Sequence, residues 1–173
     1  MISKKMEKAL NQQLILESAA SFNYLAMASW CDKEGMDGAA KFFYNHAAEE
    51  NEHMMKIFLF INEVGGHSVT PSVKQPTLHF KSVLEICQLA LKHEEKVTRS
   101  IHKMVDLTVQ EKDHVTYDFL RFFVREQREE EVLFDKVISQ IKLIGTGGQS
   151  LYYVDNMLGS IESTMEEEAT SEE

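Results

Sequence analysis

Apolar residues recur along this chain in alternating steps of four and three, the spacing that lines one side of an α-helix. Four seams follow this rule. The first runs Leu10, Leu14, Glu17, Ser21, Tyr24, Ala28, Cys31, and the second Ala39, Phe43, His46, Glu50, His53, Ile57, Phe60, Val64. The third runs Val83, Cys87, Ala90, Glu94, Val97, Ile101, Met104, Thr108, and the fourth Thr116, Leu120, Phe123, Gln127, Glu130, Phe134, Val137, Ile141, Ile144. Glycines separate the seams at 35 and 38, at 65 and 66, and at 145, 147 and 148. The pattern predicts long helices over about 5–34, 38–65, 81–109 and 113–144, and a short one over about 149–158. Ser82 with Glu85 forms a capping-box start, and Asp113 is an N-cap that divides the third helix from the fourth where no glycine helps.

The links between these helices imply a topology. The first-to-second and third-to-fourth links are short, which forces antiparallel neighbours. The stretch from Gly66 to about Phe80 is long, polar and holds both prolines, Pro71 and Pro76. It has the length to carry the chain from one end of a bundle to the other. The predicted fold is all-α: a four-helix bundle with one long crossover between its second and third helices and a short fifth C-terminal helix.

Composition agrees. At 173 residues and 19.9 kDa, with 43% hydrophobic and 27% charged residues, the chain makes one domain with a sizeable core, and two prolines oppose a turn-rich β fold. Of the net charge of −10, six units lie in Ser160–Glu173, which has no Lys or Arg. We therefore divide the chain into a helical domain, 1–159, and an acidic tail, 160–173, expected to be disordered. No basic cluster supports nucleic-acid binding, and no apolar run supports a membrane span or a secretory signal. Two isolated cysteines, Cys31 and Cys87, fit a reducing compartment, and the expected location is cytoplasmic.

The polar interruptions of the seams carry the chemistry. Glu17, Glu50 with His53, Glu94, and Gln127 with Glu130 all fall near mid-helix, and the middle of a helix stays at mid-height whichever way the helix runs. Packing the four helices thus brings these groups to one level. Four bare carboxylates in a core are intolerable, because each loses its hydration or takes up a proton. The seams offer no Lys or Arg, so metal is the simplest counter-charge. Carboxylates with imidazole and no thiolate suit iron or manganese, and two divalent ions balance four carboxylates. Glu50 and His53, three apart, share one helix face and can grip one ion.

In this order and spacing, Glu17, Glu50-x-x-His53, Glu94 and Gln127-x-x-Glu130 resemble the ferroxidase centre of the non-haem ferritins, the bacterial ones above all, over about residues 5–158. The resemblance implies iron storage and detoxification: Fe(II) is oxidised by dioxygen or hydrogen peroxide, and Fe(III) is stored as mineral in a hollow shell of twenty-four identical subunits. It places a first iron on Glu17, Glu50 and His53 and a second on Glu50, Glu94 and Glu130, with Gln127 adjacent. It also implies a third iron site from Glu49, Glu126, Glu129 and Glu130, although a run such as Glu129–Glu131 is more usually a solvated face. Tyr24, seven residues after Glu17, is placed to hydrogen-bond a ligand or supply an electron. His46 reads as a core histidine.

Departures from related families narrow the picture. Gln127 and Glu130 stand where bacterioferritins, rubrerythrins and the ribonucleotide reductase radical-generating subunit have a second Glu-x-x-His, which on paper weakens the second iron position. Asn51 stands where bacterioferritins bring a haem-ligating Met, so no haem is expected. A di-iron oxygenase or peroxidase that stores no mineral remains an alternative, as does a non-enzymatic helical scaffold. The line Ile15, Ala19, Phe22, Ala26, Trp30, opposite Glu17, would be left in water by a lone bundle and marks an interface between subunits. The short fifth helix is expected to pack against other subunits at a shell axis.

Overall fold

The computed structural model describes residues 2–145 and 147–171, with side chains as far as Ile161. Five helices follow one another: α1 (Lys4–Lys33), α2 (Asp37–Glu63), α3 (Val83–Glu111), α4 (His114–Ile144) and α5 (Gly148–Ser171). The chain is all-helical among the described residues, as the periodicity predicts. α1 packs on α2 and α3, α3 packs on α4, and α5 lies against the ends of α2 and α4.

The starts of α3 and α4 have the expected chemistry. Ser82 Oγ accepts from the Glu85 backbone N–H at 3.1 Å, and Asp113 Oδ1 accepts from that of Thr116 at 3.0 Å. The return half of the capping box is shifted by one residue, with Glu85 Oε2 accepting from the N–H of Lys81 at 2.6 Å. α2 is different. Its N-cap residue, Met36, has no capping side chain, and Asp155 of α5 supplies one instead, its Oδ1 accepting from the Ala39 N–H at 2.8 Å. A carboxylate there also faces the positive end of the α2 dipole.

That cap requires a close approach. A Cβ built on Gly38 would stand 2.2 Å from the Asp155 carbonyl oxygen, and one built on Gly159 would stand 3.1 Å from the Gly38 Cα. Gly38→Ala should therefore push α5 off α2, break the Asp155 cap and lower stability by about 2 kcal/mol in thermal or urea unfolding, a typical overpacking cost.

α5 corrects one expectation. It runs to Ser171 and not to about 158, and so covers most of the segment assigned to the tail. Glu, Met and Ala are good helix formers, and the segment contains no breaker after Gly159. The side chains of residues 162–171, and Glu172 and Glu173 altogether, lie outside the described residues, and so does the expectation of disorder there.

The crossover runs without regular structure from the end of α2 to Ser82. Asn11 of α1 pins its start, donating to the His67 carbonyl at 3.0 Å and accepting from the Val69 N–H at 2.7 Å. Near its end Phe80 packs edge-on to Trp30. Trp30 is therefore partly sheltered by its own chain, whereas Ile15 and Phe22 of the same line stay exposed.

The core falls into two apolar blocks. One contains Tyr24, Phe42, Phe43, Cys87, Phe134, Val137 and the inner face of α5. The other contains Leu10, Leu14, Ile57, Val97, Ile101, Leu120 and Phe123. Between them in every long helix stand the polar seam residues, which form a layer across the middle of the bundle.

Candidate metal centre

Glu17, Glu50, His53, Glu94 and Gln127 are all buried, and Glu94 has no solvent exposure. One donor atom from each of Glu17, Glu50 and His53 lies within 4.8 Å of the others, which brings two helices onto one point. His53 Nδ1 and Glu50 Oε2 are 3.4 Å apart without the alignment of a hydrogen bond. With Glu17 Oε2 they are buried atoms lacking a hydrogen-bond partner among the described residues. Three donor atoms held open in a dry core make a ready cation site.

Glu94 is held from two sides. The Tyr24 hydroxyl donates to Glu94 Oε1, and the Gln127 amide nitrogen donates to Glu94 Oε2 at 3.0 Å and to its main-chain carbonyl at 3.3 Å. A carboxylate at position 127 would repel Glu94, so the amide suits this place. Tyr24 is itself stacked between Phe43 and Phe134.

Glu130 stands apart from this group. It is partly exposed, and its nearest ion-pair partner is His46, with 3.5 Å between Glu130 Oε2 and His46 Nε2. Donor atoms of His46, Glu49 and Glu130 form a second cluster within 4.8 Å. The Phe42 carbonyl accepts from His46 Nδ1 at 2.8 Å, which leaves Nε2 toward Glu130. Reading His46 only as a core histidine captured the first contact and missed the second. Of the other residues expected at a third site, Glu126 lies 4.0 Å from His53 Nε2, and Glu129 is exposed.

Electrostatics follow from burial. Loss of hydration raises the Glu17 carboxyl and pushes Glu50 well above the carboxylate range, the latter further lifted by Glu17 and Glu94 beside it. Burial, then Glu130, raises Glu94 to about 7. Burial opposes charge on His46, but the Glu130 carboxylate and Glu49 outweigh it and raise the imidazole to about 10. His53 goes the other way, to about 4, through burial and the nearby Lys56. A low value keeps its imidazole neutral, the form that binds metal. Without a cation this layer limits its charge by holding protons.

Two contributors escaped the seam reading. Gln13 is fully buried one turn before Glu17 and donates to Glu17 Oε1 at 2.7 Å, fixing that carboxylate. An amide four residues before a buried acid on the same helix face was a legible signal. Lys56 sits over the Phe122 ring, 4.8 Å from its centroid, at the edge of the layer. No sequence pattern marks it, because it lies off the seam.

A bundle with this connectivity and a carboxylate and imidazole layer at mid-height defines the class of helical metal-carboxylate proteins. A family model described as a ferritin-like domain matches residues 7–144. The chain is 40% identical over 161 residues, 93% of its length and 96% of the relative's, to a bacterial non-heme ferritin of Campylobacter jejuni. It is 38% identical, over 93% of its length and 98% of the relative's, to a probable bacterial non-heme ferritin-like protein of Haemophilus influenzae. Among solved structures, an open pore ferritin from Archaeoglobus fulgidus superposes with a TM-score of 0.88 at 36% identity, covering 92% of this chain and 98% of that one. The chain belongs to the ferritin family.

Proposed function

We propose that this protein oxidises ferrous iron at the mid-bundle layer and stores the ferric product as mineral inside a hollow shell of identical subunits in the cytoplasm. The observation that carries this reading is the set of open donor atoms on Glu17, Glu50 and His53, buried between two apolar blocks. Family membership supports iron as the cation and storage in a shell as the purpose.

Iron is the substrate. Glu17, Glu50 and His53 take the first ferrous ion, and Glu50 turns toward Glu94 and Glu130 to share the second. Each ion loses one electron, and dioxygen or hydrogen peroxide takes the electrons up; the residues position the ions, balance their charge and surrender protons as they bind. Gln127 keeps its bond to Glu94 and orients it. Glu130 leaves His46 to reach the second ion. Its place beside Glu49, with Glu129 next to it and Glu126 one turn earlier on α4, supports a third position through which iron leaves the centre. Size-exclusion chromatography tests storage directly, since a hollow shell elutes far ahead of the dimer that a non-storing di-iron enzyme needs.

Tyr24 supports the centre through Glu94. Tyr24→Phe removes the hydroxyl and leaves the ring stacking intact. It should slow oxidation of the first two irons per subunit several-fold, seen as ferric absorbance in stopped flow, with iron binding nearly unchanged. An unchanged rate would reduce the hydroxyl to a partner that merely satisfies Glu94.

A further inference from the structure

On the α1–α3 face the structure contains a half-enclosed cavity of about 280 Å³ roofed by the crossover. Its walls are Ala20 and Met27 of α1, Phe80 of the crossover, and Leu89 and Ala90 of α3. Tyr24 also lines it, and its polar lining residues are Asn23, Thr77, Lys92, His93 and Lys96. An apolar chamber with a few convergent polar groups is the ordinary form of a small-molecule site. A dry cavity of about 150 Å³ accepts a six-carbon ring, so this one suits an occupant of roughly ten to thirteen heavy atoms.

Charge selects the occupant further. The chain carries 28 acidic residues against 18 basic ones, yet no carboxylate lines this cavity. Two of the three segments around it are free of acids: α1 has none between Glu17 and Asp32, and the chain has none from Val64 to Leu84, while on α3 Glu94 is held by Tyr24 and Gln127 and Glu95 pairs with Arg99. Along α3, Lys92, Lys96, Arg99 and Lys103 follow the four–three–four steps of one helix face, all exposed. Two of these, Lys92 and Lys96, reach the cavity, while Arg99 pairs with Glu95 at 3.7 Å. Between the two lysines His93 turns inward, and its Nδ1 is a buried atom with no hydrogen-bond partner among the described residues. An imidazole N–H there is a donor awaiting an acceptor.

We propose that this cavity is a binding site for a small amphiphilic carboxylate, with its apolar body between Phe80, Leu89 and the Tyr24 ring and its anionic head at Lys92, His93 and Lys96. Neither the iron chemistry nor the shell enters this proposal. The Tyr24 hydroxyl is already engaged by Glu94.

Isothermal titration calorimetry of the full-length, metal-free protein in its native assembly tests it with octanoate and 2-naphthoate, the aliphatic and aromatic forms of the ligand. Acetate and 1-octanol serve as the head-only and body-only controls. One saturable site per subunit is expected for at least one of the two long carboxylates, with acetate and octanol weaker. Lys92→Ala with Lys96→Ala, both at exposed positions, should weaken the carboxylate about threefold to tenfold and leave octanol unchanged. Leu89→Trp at the rim should block both. In a crystal soaked with 6-bromo-2-naphthoate, the bromine anomalous peak belongs beside Phe80 and Leu89. Absence of a saturable site in the assembly, carboxylate affinity indifferent to the lysines, or a bromine peak elsewhere would each overturn the proposal.

Discussion

Glu50→Ala combined with His53→Ala should lower the initial rate of iron oxidation, for the first two irons added per subunit, at least about a hundredfold. Loss of a residue that merely orients a metal ligand already costs 10- to 100-fold in affinity or activity, and this pair removes two of the three donors that converge on the first position. The measurement is anaerobic loading with ferrous iron, then oxygen, followed by ferric absorbance. Wild-type speed in the double variant would remove the basis for placing oxidation at this layer. Unfolding is excluded with Glu50→Gln, which keeps the volume and deletes the charge. Burial and the neighbouring Glu17 and Glu94 push the Glu50 carboxyl well above its ordinary range, so its charged form is costly in the metal-free core. The amide carries no such cost. Glu50→Gln should thus oxidise iron poorly and yet melt at a higher temperature than wild type when both are metal-free, a pairing that a structural role for Glu50 would not produce.

The sequence and the structure part company in an instructive place. Period and punctuation are local, so the four long helices, their caps at Ser82 and Asp113, and the mid-height level of Glu17, Glu50, His53, Glu94 and Gln127 were legible without coordinates. What was not legible depends on rotation about a helix axis by a few tens of degrees. Glu130 sits on the seam by spacing, but its side chain leans toward His46, which makes a second cluster with Glu49. Seam counting cannot resolve such a turn, because a step of three falls about 60 degrees to one side of the line and a step of four about 40 degrees to the other. Contacts between distant segments were equally hidden. Nothing near Met36 announces that Asp155 caps α2, and the clue was indirect: Gly38 and Gly159 sit where the two helices nearly touch. The fifth helix runs past the predicted end at about 158 because Glu, Met and Ala favour helix even where the segment lacks the apolar content to pack.

Stability of the metal-free protein should fall as pH rises from 6.5 to 9, and a divalent cation should reverse the fall. Glu94 titrates near 7 in the folded chain and near 4.5 when unfolded, so its contribution is complete below 4.5 and is lost as pH climbs through 7. His46 acts in the same direction: raised from 6.5 to about 10, it stabilises the fold as a cation below 6.5 and loses that effect as pH approaches 10. Glu17 and Glu50 are raised too and add to the slope. His53 and His93, both lowered to about 4, oppose it only below 6.5, where the unfolded chain begins to take up protons that the folded chain refuses. Zinc, which has no redox chemistry, serves as the probe. Saturating one site at a thousand times its dissociation constant adds about 4 kcal/mol, roughly 10 °C in melting temperature for a chain of this length. Because burial raises the Glu17 and Glu50 carboxyls and so favours their protonated forms, zinc competes with protons for them, and its apparent affinity should weaken as pH falls, by up to about tenfold per pH unit for each proton released. Scanning calorimetry from pH 6.5 to 9, with and without zinc, reads the slope and its reversal together. A metal-free melting temperature that climbs across this window would mean that the acids are not held protonated in the core. A zinc shift as large at pH 6 as at pH 8 would mean that the cation binds elsewhere, since only a layer already occupied by protons makes the ion compete for its place.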